Sequence, residues 1–366
     1  MKCPQIITMS LRSAIVALIG SVSVAEVVAA ENWYPYDTEV WHSPFDIDSK
    51  RSLKPYSPLK SATKPWDICV SLPHVDDAYW LAINYGIVAE SRRLGTKMHL
   101  LEAGGYSNLT RQIAQVEDCI DSDADAIVLG AISFEGLNDV IAKAKQHNIP
   151  VIDVANGVSS TKVTAKTLIS ISDLGLNTGR YLADRHPQGS KSVKVAWFPG
   201  PPGAGWVESA DKGFISGLDG NRSIDVVETR YGDIDKKTQM KQIESVLANH
   251  PDLDYIVGTA VAAEASIQLL KEKKLSDQVK TVSYYYTPAV HQAIKRGEVL
   301  AATTDSTVIQ GRVAIDQAVR ILEGRSYDIH VAPKLFVVDA GNIGGLDETS
   351  MLAPVDFRAT FRVNNK

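Results

Sequence analysis

The sequence predicts an α/β protein with two doubly wound lobes, each built around a parallel sheet. With 366 residues, the chain is longer than a single hydrophobic core usually supports. From Trp66 onward, short apolar runs rich in β-branched residues alternate with segments of helical period, which indicates βαβ units. The same alternation starts again after residues 186–189, so we predict two lobes rather than one.

The first half of this pattern runs from residue 67 to residue 185. Its first helix can begin at Asp76 or Asp77, because both are good N-cap residues. The predicted strands are 67–72, 97–101, 126–129, 151–154 and 167–171. The later predicted helices are 109–120, 134–147 and 175–185.

The second half repeats the alternation up to residue 322, and a tail follows it. Its predicted strands are 193–197, 225–230, 255–258, 281–284 and 300–304, and its predicted helices are 206–219, 237–249, 260–273, 288–296 and 308–322. The tail is strand-like near 335–338 and irregular after Gly341. We therefore assign 66–170 with part of 305–325 to lobe 1, 171–304 to lobe 2, and 326–366 to a tail packing on the lobes. The crossovers between lobes fall near 156–173, 284–288 and 303–307.

The first thirty residues predict a secretory signal peptide. Lys2 and Arg12 precede an apolar run over 13–24, and small residues precede a cleavage site near Ala30. A buried N-terminal helix or an uncleaved anchor is the alternative. No later stretch reaches the ~20 apolar residues of a membrane helix, so we expect a soluble protein exported to the periplasm.

Charge and cysteine content narrow the class further. The net charge is −5, and there is no basic run, which argues against a nucleic-acid partner. Cys69 and Cys119 can pair in an oxidising compartment, or remain as two buried thiols. Residues 31–65 interleave aromatic residues and prolines without a clear period, which predicts an irregular strap laid across the folded body.

Motifs for catalysis are missing from the sequence. It contains no GxSxG, HExxH or CxxC motif and no phosphate loop ending in GK[ST]. The glycine-rich segment 200–205 carries prolines where a phosphate cradle needs amide donors. The eight histidines do not cluster at metal-ligand spacing. We therefore expect a binding protein with no cofactor and no metal, not an enzyme.

The loops that follow the predicted strands supply the candidate ligand-binding residues. In open parallel sheets, ligands bind beyond the carboxyl ends of the strands, so two facing lobes line one cleft between them. Aromatic faces there suit a methylated ammonium group, at roughly 0.5–2 kcal/mol per contact. The predicted ligand set is Trp206, Tyr79, Trp80, Tyr285, Tyr284, Tyr286, Phe134, Asp76, Asp77, Ser133, Asp173 and Asp305.

Several members of the predicted ligand set also have plainer interpretations. Trp80 can pack under its own helix, and we expect only one or two of the tyrosines 284–286 in the cleft. Asp76 can serve only as a helix cap, Asp173 can fix a crossover turn, and Asp305 can be a hinge hydrogen-bonding residue. Trp206 follows a flexible loop, and it is the strongest single candidate.

Five phrases of the sequence resemble the type I periplasmic binding proteins of the ribose-binding and LacI-core kind. They are Asn148–Ile152, Ile171–Asp173 with Gly179, Lys212–Phe214, Thr287–Pro288, and Ala301–Asp305 before Gly311. They occur in the family's order and cover about residues 66–325. The resemblance implies two α/β lobes that close on a small molecule.

Three more phrases resemble one sensor branch of that family. They are Leu72–Trp80, Gly130–Leu137 and Ile152–Gly157, and the aromatic strap fits the same branch. This resemblance implies that trimethylamine N-oxide is the ligand and that the periplasmic sensor domain of a hybrid histidine kinase is the partner. Tyr285 stands where sugar-binding relatives have Asp. The alternative is a substrate-binding protein of an ABC-type importer for a sugar or another small polar solute.

Overall fold

The structure is a computed structural model that describes Met1, residues 33–203 and residues 205–364. The predicted signal peptide and its cleavage near Ala30 lie outside these described residues, apart from Met1. Within the described part of the chain, no helix is both long enough and apolar enough to cross a membrane.

Fifteen strands are present in the described residues. They are β1 Tyr36–Trp41, β2 Arg51–Tyr56, β3 Asp67–Leu72, β4 Lys97–Glu102, β5 Ala126–Leu129, β6 Val151–Val154, β7 Ala165–Thr167, β8 Val193–Gly200, β9 Ile224–Tyr231, β10 Tyr255–Gly258, β11 Lys280–Ser283, β12 Ala301–Thr304, β13 Val331–Pro333, β14 Phe336–Asp339 and β15 Arg362–Val363.

Nine α-helices separate or follow these strands over the same residues. They are α1 Ala78–Leu94, α2 Leu109–Asp121, α3 Asn138–Gln146, α4 Ile171–Arg185, α5 Gly205–Leu218, α6 Lys236–Asn249, α7 Ala260–Lys273, α8 Pro288–Lys295 and α9 Thr307–Leu322. Two short 3₁₀ turns, Ile343–Gly345 and Glu348–Ser350, lie in the tail.

Two six-stranded sheets form the body of the molecule and confirm the predicted α/β fold. The first has the order β15-β4-β3-β5-β6-β7, and the second has the order β14-β12-β11-β10-β8-β9. Pairing is parallel in both sheets except at β15 and β14, which pair antiparallel with β4 and β12. The non-consecutive strand order is that of doubly wound sheets, so strand-exit loops gather at one end of each sheet.

Glycine residues allow close contact between the helices of two pairs, α1 with α9 and α4 with α5. A Cβ added to Gly86 of α1 would lie 2.1 Å from the carbonyl oxygen of Val308 in α9. A Cβ added to Gly213 of α5 would lie 1.8 Å from the carbonyl oxygen of Ser172 in α4. Both helix pairs therefore approach at a distance that only glycine permits at these positions.

The strap is more regular than its sequence predicts. Strands β1 and β2 of the strap pair antiparallel over their full length. Strand β13 of the tail pairs with β1, so the strap and the tail together form a third sheet of three strands. The expectation of an irregular strap is therefore wrong. The alternation is hidden because four successive residues of β2, 52–55, are exposed, including Pro55, which is tolerated at a sheet edge.

Several predicted element boundaries also differ from the structure. The strand predicted over 167–171 lies earlier in the chain, as β7 over Ala165–Thr167. Helix α4 already begins at Ile171, because the Ser170 side chain accepts a hydrogen bond from the amide of Asp173. Helix α3 begins at Asn138, since Ser133 Oγ accepts from the amide of Gly136 in the preceding turn. The tail, expected to be irregular after Gly341, adds β15 to the first sheet.

Cys69 and Cys119 form a disulfide, which resolves the alternative left open by the sequence. Cys69 lies in β3 and Cys119 in α2, and their Cα atoms are 5.8 Å apart. Both side chains are buried in a hydrophobic cluster between the first sheet and its helices. The disulfide therefore ties helix α2 directly to a central strand.

Candidate ligand-binding site

The N-terminus of α1 places two aromatic side chains at the carboxyl end of the first sheet. Asp77 is the N-cap, and its Oδ1 accepts from the amide of Trp80 at 2.8 Å. Asp76 is exposed, and its amide lies 3.4 Å from Nδ1 of His74. Asp77, not Asp76, therefore fixes the start of the helix and the direction of the residues after it.

Trp80 and Tyr79 leave this helix end in different environments. Trp80 is buried in the core of the first sheet, while its Nε1 donates to the Tyr106 hydroxyl at 3.1 Å. Tyr79 is half-buried, with its ring edge-on to Trp80 at 5.5 Å. Desolvation raises the pKa of Tyr79 well above its usual 10, and the nearby Asp305 raises it further. The Tyr79 hydroxyl is thus strongly desolvated although the residue as a whole is only half-buried.

Tyr106 is outside the predicted ligand set, although it also lies in a strand-exit loop. Its hydroxyl accepts from Trp80 Nε1 and, at 3.0 Å, from Nδ2 of Asn156. Asn156 also donates to the carbonyl oxygen of Ala131 at 2.7 Å. Three strand-exit loops of the first sheet therefore converge on one phenol group. The signal in the sequence is the position of Tyr106 in the loop between β4 and α2.

Asp305 is the most unusual polar residue of this region. It is buried directly after β12, and its Oδ2 has no hydrogen-bond partner among the described residues. Its carbonyl oxygen accepts from Nε2 of Gln310 at 2.9 Å. Burial raises the pKa of the Asp305 carboxyl to about 7. At a pH close to this pKa, the Asp305 carboxyl can donate a proton to a bound group when it is protonated, or offer it a negative charge when it is ionised.

Tyr285 brings the second sheet to the same group of residues. It is half-buried, and burial raises its pKa, with Asp77 as the next largest cause and Asp305 also contributing. The backbone of Ala260, at the start of α7, acts in the opposite direction and lowers this pKa. The carboxylates of Asp77 and Asp305 thus raise the pKa values of both tyrosines. Tyr79 lies at the start of α1, beside the first sheet, and Tyr285 lies in the loop after β11 of the second sheet.

The two neighbouring tyrosines of the triplet are packed elsewhere. Tyr284 is buried against Trp197 at a centroid distance of 5.2 Å, and its hydroxyl donates to the carbonyl oxygen of Pro199 at 2.7 Å. Tyr286 is buried in another cluster, with its hydroxyl 2.5 Å from Nδ1 of His291. Because the side chains of Tyr284 and Tyr286 are buried while Tyr285 is only half-buried, Tyr285 is the member of the triplet that we retain as a ligand candidate.

Trp206 lies in the first turn of α5 and is half-buried. Its ring packs over Gly200, where an added Cβ would lie 2.7 Å from Cη2 of Trp206. The same side chain packs against the hydrophobic cluster around Trp197 and Tyr284. Trp206 is thus anchored beside the strand-exit loops of the second sheet, and its role in ligand binding stays a prediction.

The three remaining members of the predicted ligand set either have other partners or are largely exposed. Ser133 closes the turn before α3, and Phe134 is 62% exposed. Asp173 forms an ion pair with Arg51 of the strap. None of the three has a described contact with Tyr79, Tyr285 or Asp305.

One group in the described residues brings three potential metal ligands within 4.8 Å of one another, and it consists of Cys69, His99 and Cys119. The two cysteines are joined as a disulfide, and His99 Nδ1 lies 3.2 Å from Oδ1 of Asp67. A disulfide sulfur is not the thiolate that metals prefer, so this group gives no support to a metal site.

The polar and aromatic residues at the carboxyl ends of two doubly wound sheets define a two-lobed small-molecule binding protein. The chain belongs to the periplasmic binding protein domain family, whose model matches residues 68–326. It is therefore a binding protein of periplasmic type and not an enzyme, as predicted.

Within this family the chain is similar to the periplasmic protein TorT. TorT from Escherichia coli is 34% identical over 308 residues, which cover 83% of this chain and 86% of TorT. Structures of TorT with the TorS sensor domain, solved in the absence of ligand and in the presence of TMAO, share 32% identity with it. Their TM-scores are 0.76 and 0.74, and each covers 81% of this chain and 100% or 99% of the matched chain.

A second relative belongs to a transport system. An ABC transporter solute binding protein from Bradyrhizobium sp., with bound Bis-Tris, is 50% identical to this chain. The TM-score is 0.87, and the match covers 90% of this chain and 98% of that protein. Similarity of sequence and fold thus links the chain both to a sensor protein and to a solute-binding protein.

Proposed function

We propose that this protein is a periplasmic receptor for trimethylamine N-oxide that regulates a membrane hybrid histidine kinase. The observation that supports this proposal best is that the carboxylates of Asp77 and Asp305 both act on Tyr79 and on Tyr285, which follow strands of different sheets. Two half-buried phenol rings from different sheets and one buried carboxyl with a free oxygen are electrostatically coupled. Closing the two lobes on a ligand would bring these groups around it.

The chemistry of trimethylamine N-oxide matches these groups. Its methylated, positively charged nitrogen is attracted to the faces of aromatic rings, at roughly 0.5–2 kcal/mol per contact. The carboxylate of Asp77, near both rings, would offset the same positive charge. The oxide oxygen needs a hydrogen-bond donor, and Asp305 holds a proton for part of the time near neutral pH because its pKa is about 7. Trp206 would add a further aromatic face from the second sheet.

The proposed partner is inferred from the relatives. TorT is found in complex with the TorS sensor domain both without ligand and with TMAO. If this chain works in the same way, the ligand shifts the population between two lobe geometries that differ in their contacts with the kinase. The size of that shift is limited by the difference in ligand affinity between the two geometries. Residues after the predicted cleavage near Ala30 would form the exported protein.

Transport is the second candidate function, and one observation favours it. The Bradyrhizobium solute-binding protein shares 50% identity with this chain, more than TorT does, and carries bound Bis-Tris. Bis-Tris is a tertiary amine, so an aromatic site with acidic residues suits it as well. The two candidates therefore share the ligand chemistry and differ in the membrane partner.

Calorimetric titration of residues 31–366 with trimethylamine N-oxide, Bis-Tris and ribose tests the ligand. We expect saturable binding of the N-oxide, at least tenfold weaker binding in Tyr285→Leu, and no binding of ribose. The matched control is Tyr231→Leu, because Tyr231 is exposed and hydrogen-bonds Asp211 outside this group. Ribose binding with no response to the N-oxide would contradict the proposal and favour sugar import.

The partner requires a separate titration with the purified periplasmic sensor domain of the kinase. Association of the two proteins with an affinity that changes when trimethylamine N-oxide is added would support the receptor function. Ligand binding without any association would contradict the sensor role and leave the transport role.

A further inference from the structure

The strap reaches the candidate ligand site through one side chain. Tyr36 is the first residue of β1, and its hydroxyl lies 2.8 Å from Oγ of Ser306. Ser306 directly follows Asp305 and is the N-cap of α9. A residue of the N-terminal strap therefore contacts the turn that carries the buried carboxyl.

That turn has a backbone conformation that needs support. Ser306 has φ 48° and ψ 53°, which lie in the left-handed region of backbone conformation that residues other than glycine rarely adopt. Such a conformation is strained and persists only when its surroundings hold it. Within the turn, the Ser306 amide donates to Thr304 Oγ1 at 3.2 Å, and the Ser306 carbonyl accepts from Gln310 at 3.1 Å. Tyr36 adds a hydrogen bond to the Ser306 side chain from outside the turn.

The surroundings of Tyr36 make its hydrogen bonds important. The residue borders a cavity of about 550 Å³ that is also lined by Asp37, Phe336, Asp347 and Met351. Close packing therefore does not fix Tyr36 on every side. Its hydroxyl is held by the hydrogen bond to the Ser306 hydroxyl.

We propose that Tyr36 is a positioning residue of the ligand site, which fixes the Asp305 carboxyl by holding Ser306 in its left-handed turn. The strap then contributes to ligand affinity without touching the ligand. This inference rests on the proposed function only in taking Asp305 as a ligand-contacting group. Loss of one neutral hydrogen bond predicts a change of about threefold to tenfold in affinity.

The test compares Tyr36→Phe with Thr38→Val. Thr38 is the matched control, because its Oγ1 donates to the carbonyl oxygen of Lys54 at 2.6 Å, so this hydrogen bond lies within the strap and does not reach the turn. Two quantities are measured in the exported protein: affinity for trimethylamine N-oxide, and amide hydrogen exchange of residues 301–310 without ligand. We expect Tyr36→Phe to lower affinity about threefold to tenfold and to speed exchange in this segment. Thr38→Val should lower stability while leaving both quantities unchanged.

A second pair of variants isolates the hydrogen bond. Glycine adopts the left-handed turn without strain, so Ser306→Gly removes the need for support. Tyr36→Phe should then have less than a twofold effect in the Ser306→Gly background. An equal effect of Tyr36→Phe in both backgrounds would overturn the positioning role.

The outcomes separate this inference from the proposed function. Unchanged affinity in Tyr36→Phe, or equal losses in Tyr36→Phe and Thr38→Val, would overturn the inference while ligand binding stands. If the unmodified protein does not bind trimethylamine N-oxide, the proposed function fails. The measurement of amide hydrogen exchange then still tests the positioning role of Tyr36. Unchanged exchange of residues 301–310 in Tyr36→Phe would then overturn the positioning role on its own.

Discussion

Asp173, at the first turn of α4, forms an ion pair with Arg51 of strand β2. Each side chain is 21% exposed, and Arg51 also bonds Oε2 of Glu39 at 3.1 Å. The carboxylate at the crossover into the second sheet is therefore engaged by the strap. This contact gives Asp173 a structural role that its sequence position alone does not reveal.

Breaking this ion pair should weaken the attachment of the strap and leave the ligand site intact. We expect a coupling energy between Asp173→Asn and Arg51→Met of up to about 1 kcal/mol, because the pair is partly exposed to solvent. Urea denaturation of the two single variants and the double variant measures it. A tenfold loss of ligand affinity in Asp173→Asn would show instead that Asp173 is a ligand residue.

Stability should depend on pH through Asp305. Its pKa is about 7 in the folded protein and ~3.9 in an unfolded chain, so between these values the folded state holds a proton that the unfolded state has lost. The stabilisation is therefore present at low pH and is lost as the pH rises from about 4 to about 7. Asp305→Asn should remove this loss, which amounts to as much as about 4 kcal/mol.

Asp153 provides a second test in the same direction, because burial also raises its pKa to about 7 and Asp153→Asn should remove part of the same loss of stability. Urea denaturation from pH 4 to pH 8 compares the unmodified protein with Asp305→Asn and Asp153→Asn. Parallel stability curves for the unmodified protein and Asp305→Asn would show that Asp305 titrates normally.

The glycine contact between α4 and α5 predicts a large effect of one methyl group. A Cβ at Gly213 would meet the Ser172 carbonyl at 1.8 Å, so Gly213→Ala must separate the two helices. We expect a loss of at least about 2 kcal/mol in the free energy of unfolding. Gly205→Ala is the control, because a Cβ at Gly205 has no neighbour within 4 Å and alanine favours a helix. Equal stability of the two variants would refute the close approach.

The disulfide predicts sensitivity to reducing agents. Cys69 and Cys119 are 50 positions apart in the sequence, and closing a loop of this length corresponds to about 2–4 kcal/mol of stabilisation. Thermal denaturation with and without reductant should show this difference. A variant with both cysteines replaced by alanine should not respond to reductant, and an unmodified protein that is equally insensitive would contradict the role of the bond.

Local patterns predict much of the fold, because the periods of strands and helices depend on neighbouring residues. Helix α7 matches its predicted range, and the two sheets follow from the alternation of apolar runs. The strap sheet and β15 were not predictable in this way. Strand β2 lacks an alternating pattern, and β15 has only two residues and forms through a distant pairing with β4.

The candidate site was predictable by position but not by side-chain direction. Strand-exit loops contain Tyr79, Tyr285 and Asp305, as topology requires. Which tyrosine of the triplet remains available depends on partners such as Pro199 and His291, which no local pattern identifies. Tyr106 joins the site through its bond to Trp80, a contact between two loops that are separate in sequence.

A crystal structure of the exported protein with trimethylamine N-oxide tests the central claim most directly. We predict electron density for the ligand between the rings of Tyr79 and Tyr285, with its oxygen within hydrogen-bond distance of Asp305 Oδ2. Ligand density outside this group of residues, at a concentration that saturates binding in solution, would contradict the account.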